Sequence, residues 1–358
     1  MHLARLKLRD FRNYRRLEVD FPPGFHLLLG DNAQGKTNIL EAIYLMSTLR
    51  SFRGVGGAQM IRHGETGYFV SGIVTSQGTS EIKMYWSAKE RRLTLNNQPV
   101  KRLSEYLGVL RTVVFCSEDL QLVKGPSQRR RRFLDLLLAQ TQPVYLGILR
   151  KYMEAVRARN TLLKQHGADP GSIDSFTQLV VEAGNRMMDF RRALLPRFLP
   201  FMQEAYARIS GGREEVQLSY RPSVKQDFRT ELAQARRREA TMRTTLLGPH
   251  RDELDILLNG QSALRYGSEG QKRSVAIALK MAQAELLTDA HGYPPILLID
   301  DVMGELDLRR RSGLVPLLER AHKANSQVFM TCTEENWPSE LGAKLQRWNV
   351  NAGSLTPA

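Results

Sequence analysis

Cysteine is almost missing from this chain: two residues, Cys116 and Cys332, in a length of 358. They stand far apart and outside any metal-ligand spacing, so neither a disulfide framework nor a zinc site is indicated, which fits a reducing cytoplasm. Long hydrophobic runs are missing as well. Stretches such as Ile296-Leu297-Leu298-Ile299 are far too short to span a bilayer, and no membrane partner is expected. The first residues, Met1-His2-Leu3-Ala4-Arg5-Leu6-Lys7, alternate apolar and basic side chains and read as a strand rather than a signal peptide. No heptad pattern is sustained and no internal repeat is found, which excludes a long coiled coil. Acidic residues are scarce: 37 Asp and Glu face 52 Lys and Arg, for a formal net charge of +15. A chain this basic suits an acidic polymer, nucleic acid first, although a well-solvated basic surface is the plainer alternative.

The most informative stretch is Gly30-Asp31-Asn32-Ala33-Gln34-Gly35-Lys36-Thr37, which fits G-x-x-x-x-G-K-[ST], the phosphate-binding loop of P-loop NTPases. An apolar strand, Phe25 to Leu29, runs into it. A helical run, Asn38 to Met46, leaves it. Backbone N–H groups of the loop and of the helix start would surround phosphates. Lys36 would reach the β- and γ-phosphates, and Thr37 would ligate Mg²⁺.

The first 115 or so residues read mostly as β. Hairpin signals such as Asn96-Asn97-Gln98 imply an antiparallel sheet beside the nucleotide-binding strands, an ABC-type combination. From 125 to 245 the pattern turns helical, with stripes such as Phe133, Leu134, Leu137, Leu138 and with Pro196, Pro200 and Gly211-Gly212 as punctuation. After Leu246 β/α character returns, with a hairpin around Asn259-Gly260. The expected division is therefore an ATPase domain from 1–124 and 246–358, interrupted by a helical insertion over 125–245.

The strand Ile296 to Ile299 ends in Asp300-Asp301, the Walker B pattern. Asp300 would hold Mg²⁺ and Asp301 would polarise the attacking water, so Lys36, Asp300 and Asp301 are the candidate catalytic residues. Asp301 stands where ABC-type ATPases usually carry Glu, one methylene longer, which predicts slow hydrolysis. Gly267-Ser268-Glu269-Gly270-Gln271 opens a helix and resembles the ABC signature Leu-Ser-Gly-Gly-Gln, keeping Ser268, Gly270 and Gln271. In ABC proteins this element binds the γ-phosphate held by the opposite subunit; a simple Ser N-cap is the alternative. Glu305-Leu306-Asp307 matches the D-loop, with Asp307 facing a partner copy. Two ABC landmarks are missing. Thr331-Cys332-Thr333 stands where transporters carry a switch histidine, and no glutamine follows Val113-Val114-Phe115 at the Q-loop position.

Several runs resemble one family, RecF, the bacterial recombination and gap-repair ATPases related to SMC heads. They are Leu8-Arg9-Asp10-Phe11-Arg12-Asn13-Tyr14, the P-loop, Arg50-Ser51-Phe52-Arg53, Ser117-Glu118-Asp119-Leu120 through Val123-Lys124-Gly125-Pro126, Arg131-Arg132-Phe133-Leu134-Asp135, Leu247-Gly248-Pro249-His250-Arg251-Asp252 and the Walker B segment. Ser117 stands where the family usually has Pro, and Glu253 where a second Asp is common. The resemblance implies an α/β, SMC-head-like ATPase with ATP and Mg²⁺ as cofactors. It implies an ATP-dependent homodimer with weak, DNA-dependent ATPase activity. It also implies binding to duplex, gapped or junction DNA, partnership with RecR and RecO in loading RecA, and a cytoplasmic, nucleoid-associated site of action. It extends the nucleotide set, Gly30 to Asn38, to Arg12 and Asn13.

Arg129-Arg130-Arg131-Arg132 and Arg236-Arg237-Arg238 are candidate DNA contacts, though such runs are also ordinary solvated helix faces. His250-Arg251-Asp252 reads as a structural or γ-phosphate-sensing turn rather than a catalytic cluster. The competing functional classes are an ABC-type transport ATPase subunit, a metabolic P-loop kinase and a non-hydrolysing scaffold.

Overall fold

The fold is taken from a computed structural model, which describes residues 1–76, 78–165, 169–324, 326–333 and 345–358. The described strands are β1 (His2–Phe11), β2 (Tyr14–Asp20), β3 (Gly24–Leu29), β4 (Gly67–Thr75), β5 (Thr79–Ser87), β6 (Arg91–Leu95), β7 (Gln98–Pro99) and β8 (Thr112–Phe115). They continue with β9 (Val216–Arg221), β10 (Glu253–Leu258), β11 (Gln261–Ser262), β12 (Ile296–Asp300), β13 (Gln327–Cys332), β14 (Leu345–Asn351) and β15 (Ser354–Pro357).

The chain divides into two compact units. The first holds Met1–Asp119, Ala205–Gly212 and Ser274–Ala358; the second holds Leu120–Glu204 and Arg213–Arg273. This division differs from the expected cut at 245, and strand pairing supplies the reason. β10 pairs antiparallel with β9 over six residues, from Glu253↔Arg221 to Leu258↔Val216. Residues after Leu246 are thereby bound to a strand inside the segment that reads as helical.

The first unit contains two six-stranded sheets. One, in the order β2-β1-β4-β5-β6-β7, is antiparallel, as the hairpin signals predict. Asn96 and Asn97 turn with φ of 51° and 64°, both left-handed, the arrangement that tight hairpins favour. The other runs β15-β14-β3-β13-β12-β8 and is parallel except for its β14–β15 edge. Buried on both faces, β8 and β13 show a continuous run of buried residues rather than alternation. Parallel pairing of β3, β13 and β12 brings the ends of β3 and β12 to one edge, so the P-loop and Asp300 meet although the sequence separates them widely.

Gln327 ties the two sheets together. Its Oε1 accepts from the Leu3 amide at 2.6 Å, and its Nε2 donates to the carbonyls of Leu3 at 3.1 Å and Pro22 at 2.9 Å. Beside it, His26 is fully buried and stacks on Phe329 with centroids 4.7 Å apart. His26 Nε2 lies 2.8 Å from the Pro22 carbonyl, and its Nδ1 lies 3.1 Å from Trp348 Nε1, which can only donate. These partners fit the neutral ring protonated on Nε2.

Burial lowers the His26 pKa from 6.5 to about 4. Between those values the unfolded chain takes up a proton that the folded chain refuses. The stability from neutral His26 is therefore complete above pH 6.5 and is lost as pH falls towards 4, by up to roughly 3 kcal/mol. His26→Gln keeps a donor and an acceptor without titrating. The urea midpoint of this variant should fall less steeply from pH 7 to 4.5 than that of the native chain; equal slopes would rule the account out.

In the second unit the helices Ser127–Thr141, Pro143–Lys164 and Phe228–Met242 pack with most of the helix Pro170–Ser210. Pro196 and Pro200 do not interrupt that last helix as their sequence positions suggest. Both face solvent, and each frees the carbonyl four residues earlier, at Arg192 and Pro196, on the same exposed side where water can take it.

Candidate functional site

The P-loop owes its shape to two glycines. Gly30 has φ of +150°, and a Cβ there would lie 2.3 Å from the Val350 carbonyl oxygen. Gly35 has φ of +116°, and a Cβ would lie 2.6 Å from Asn13 Nδ2 and 2.9 Å from the Tyr14 hydroxyl. Only glycine fits either place. The loop is braced on both sides. Asn13 Nδ2 and the Gly353 amide donate to the Gln34 carbonyl at 2.7 and 3.2 Å, and Gln34 Oε1 accepts from the Ala352 amide at 2.7 Å. Asp31, Asn32 and Ala33 stay exposed at the tip, Ala33 with φ of +64°. Lys36 is 7% exposed, and its ammonium donates to the carbonyls of Gly30 at 2.5 Å and Asp31 at 2.9 Å. It is thus folded back over the loop, where its charge faces the loop interior. The helix Lys36–Thr48 that follows has no acidic residue in its first turn, so its free N–H groups meet no competing carboxylate.

Asp300 completes the cluster. Thr37 Oγ1 donates to Asp300 Oδ1 at 2.8 Å, and Thr331 Oγ1 donates to the same oxygen at 2.9 Å. Burial raises the Asp300 pKa; the two hydroxyl hydrogen bonds oppose that rise, and the charges of Glu118 and Asp301 add to it. A cation here would relieve the crowding of carboxylates. Thr37 and Asp300 offer hard oxygen donors of the kind Mg²⁺ takes, and neither is a soft ligand. Asp301 is exposed and left-handed, with φ of 55° and ψ of 11°, and its amide donates to Thr331 Oγ1 at 3.0 Å.

Arg12 and Asn13 reach the loop in different ways. Asn13 bridges Gln34 and Asn38, whose Nδ2 donates to Asn13 Oδ1 at 2.8 Å. The Arg12 guanidinium instead forms a two-point contact with Glu41 at 2.8 and 2.7 Å and donates to the Gln59 carbonyl at 2.8 Å. Glu41 is fully buried and also accepts from the Ser51 hydroxyl. Sequence reasoning passed over Glu41, because a lone charge inside the apolar run Ile39 to Met46 looks like a solvated helix position. The left-handed φ of 56° at Arg12 belongs to the two-residue turn between β1 and β2, which Phe11 and Tyr14 flank as a pair.

Ser268, Gly270 and Gln271 lie in the second unit. The Ser268 amide donates to Gln271 Oε1 at 2.6 Å and the Gln271 amide donates to Ser268 Oγ at 3.2 Å, a reciprocal capping box at the start of the helix Glu269–His291. The Ser N-cap alternative is therefore realised. Glu269, which replaces the first signature glycine, is held by Lys124, whose ammonium lies 3.1 Å from both carboxylate oxygens. In the first unit Asp307 caps the helix Leu308–Lys323, accepting from the Arg310 amide at 2.9 Å.

The run Arg129 to Arg132 does not present four arginines to solvent. Arg130 is 6% exposed, pairs with Glu253 at 2.8 Å and donates to the carbonyls of Leu122 and Gly125. Arg131 donates to Ser127 Oγ and to the Asp252 carbonyl, both at 2.7 Å. These donors close the start of their own helix, and only Arg129 and Arg132 are exposed. His250 is held between the Tyr152 hydroxyl at 2.6 Å and the Thr245 carbonyl at 3.1 Å, and burial lowers its pKa to about 4. It serves as a neutral strut of the turn, with no free nitrogen for proton transfer.

A family model described as "RecF/RecN/SMC N terminal domain" matches residues 2–348. The "DNA replication and repair protein RecF" of Rippkaea orientalis is 37% identical over 383 aligned residues, covering 100% of both chains. That of Streptococcus equi subsp. zooepidemicus is 36% identical over 99% of this chain and 98% of its own. A solved structure of "the recombination mediator protein RecF-ATP in RecFOR pathway" is 29% identical, covers 99% of this chain and 97% of that one, and has a TM-score of 0.91. The Smc head domain from Pyrococcus furiosus has a TM-score of 0.57 at 15% identity, covering 100% of this chain and 96% of its own, a likeness of fold alone. The phosphate loop, the Asp300 strand end and the antiparallel sheet thus sit in a chain whose relatives match it from end to end, and by that full-length kinship it belongs to the RecF family of SMC-head-like, ABC-type ATPases.

Proposed function

We propose that this chain is an ATP-dependent DNA-binding ATPase of recombinational repair, in which ATP joins two copies around DNA and slow hydrolysis releases them. The observation that carries the reading is the hydrogen bond of Thr37, next to Lys36 in the phosphate loop, to Asp300 at the end of a strand far along the sequence. ATP would enter the loop Gly30 to Asn38, and its phosphates would replace the carbonyls now facing the Lys36 ammonium. Thr37 and Asp300 would hold Mg²⁺, which when bound would neutralise charge on the phosphates. Asp301 would take the proton side of the attacking water, with the shorter Asp side chain limiting the rate. Asn13 keeps the loop in shape. Arg12 would contact a phosphate only by leaving Glu41.

The helix end at Ser268, Gly270 and Gln271, together with Asp307, would complete the site on a second copy. The +15 charge and the names of the relatives support DNA as partner, with Arg129 and Arg132 as the remaining candidates in that run. Contacts of this kind go to phosphate, so binding should weaken steeply with salt. On this reading RecR and RecO would be the protein partners, which the RecFOR pathway named for the ATP-bound relative supports, RecA loading the outcome and the nucleoid the place of action. The transport-subunit reading has less support, because Thr331-Cys332-Thr333 stands where transporters carry a switch histidine and the net charge is +15.

DNA binding to duplex, single-strand and gapped substrates, with and without ATP across a salt series, tests the whole reading. Ser268→Arg tests the composite site. It should abolish the ATP-dependent dimer in sedimentation while leaving ATP affinity within about twofold at protein concentrations too low for either protein to dimerise, where the loop of each copy acts alone and the linkage between ATP and dimer does not enter. A variant that dimerises normally would remove Ser268 from the interface.

A further inference from the structure

The position that lacks a switch histidine is not chemically empty. Thr331, at the end of β13, is 2% exposed, so its hydroxyl must be satisfied from within the protein. A hydroxyl has one proton to give and two lone pairs to receive. Thr331 gives its proton to Asp300 Oδ1 at 2.9 Å and receives the Asp301 amide at 3.0 Å. One atom thereby holds the carboxylate that ends β12 and the first peptide beyond it. That peptide needs holding, because Asp301 is left-handed, with φ of 55°. Such a conformation costs a side chain with a Cβ on the order of 1 kcal/mol, so local bonds must maintain it. Thr331 is also stiff about χ1, and parallel pairing of Asp300 with Thr331 sets the two side by side.

We propose that Thr331 is a positioning residue for ATP hydrolysis: its hydroxyl couples Asp300 to the turn that aims Asp301, so that the two carboxylates keep a fixed relation. Thr331 acts through them, its hydroxyl being taken up by Asp300 Oδ1 and the Asp301 amide. The inference rests on the nucleotide reading given above. It also explains how a Walker B turn can stay ordered without a histidine, since threonine supplies a buried donor and acceptor at neutral charge over the whole physiological pH range.

Two substitutions separate the hydroxyl from the methyl group. Thr331→Val keeps shape and removes the hydroxyl; Thr331→Ser keeps the hydroxyl and removes the methyl. Full-length protein with DNA and Mg²⁺ is assayed for ATP affinity, KM and kcat, with melting temperature as the check on folding. Misplacing a reacting group by a fraction of an ångström to an ångström lowers rates on the order of 10- to 100-fold. Thr331→Val should therefore lose kcat by that order while ATP affinity and KM stay within about twofold. Thr331→Ser should retain at least about half of the native kcat on the same argument. If the valine variant does not fold, Thr331→Ala takes its place against serine. The proposal is overturned if the hydroxyl-free variant turns over at the native rate, or if serine falls as far as valine, which would make the role one of packing. Failure of the native protein to bind ATP would instead overturn the nucleotide reading.

Discussion

Replacing Lys36 by methionine should reduce ATP hydrolysis on the order of 100- to 1,000-fold, the scale seen when one preorganised donor to a developing negative charge is removed. The side chain is already confined: it is 7% exposed and reaches back to the carbonyls of Gly30 and Asp31. Methionine copies the stem, so the helix Lys36–Thr48 should survive while the charge is lost. ATP affinity should fall about 10- to 100-fold, corresponding to one charge-assisted hydrogen bond of roughly 1.5–3 kcal/mol. Lys36→Arg should do little better, because a planar guanidinium cannot take the place of a compact ammonium over two carbonyls. Equilibrium binding of a labelled nucleotide and single-turnover hydrolysis distinguish the two losses. Turnover near the native rate in Lys36→Met would show that the loop is not the catalytic centre.

The largest expected loss of stability lies in the second unit. Arg191 is 1% exposed and donates to Asp135 Oδ1 at 2.8 Å, Asp252 Oδ2 at 3.1 Å and the Pro249 carbonyl at 2.7 Å. Asp252 is itself 1% exposed and also accepts from the Ser223 amide and the Tyr220 hydroxyl. Arg191→Met fills much of the same volume but leaves Asp252 buried without its cation. Breaking such a pair from one side costs about 3–5 kcal/mol. The urea midpoint followed by circular dichroism should fall accordingly. Adding Asp252→Asn, which removes the stranded charge, should recover part of the loss. If the double variant is as unstable as the sum of both single changes, the charge pairing is not what Arg191 contributes.

The features legible from sequence are those written in local backbone chemistry. Glycines at both ends of the loop, an apolar strand before it and an aspartate at the end of another strand need only short windows, and the structure holds them where the spacing predicts. Hairpins marked by Asn96-Asn97 and Asn259-Gly260 belong to the same class. What stayed hidden depends on distant partners. β9 interrupts a region read as helical: Val216, Leu218 and Tyr220 alternate with Gln217, Ser219 and Arg221, a period-2 signal six residues long that the surrounding helical pattern hides until β10 pairs with it. β14 and the edge strand β15 carry alternating polar residues that resemble a tail until β14 pairs with β3 and β15 with β14. The arginines at 130 and 131 read as a basic patch, yet the partners that bury their charge, Glu253 and Asp252, lie more than a hundred residues later. Glu41 and Thr331 were invisible for a similar reason: a polar residue in an apolar run gains meaning only when Arg12 or Asp300 arrives beside it.

The bracing of the phosphate loop by Gln34 carries a consequence for how the molecule comes to exist. The loop is made some three hundred residues before the amides of Ala352 and Gly353 that brace Gln34. A nascent chain therefore carries the glycines and the lysine through all of that interval without the surface on which they set, and a product that stops short of Ala352 lacks both braces.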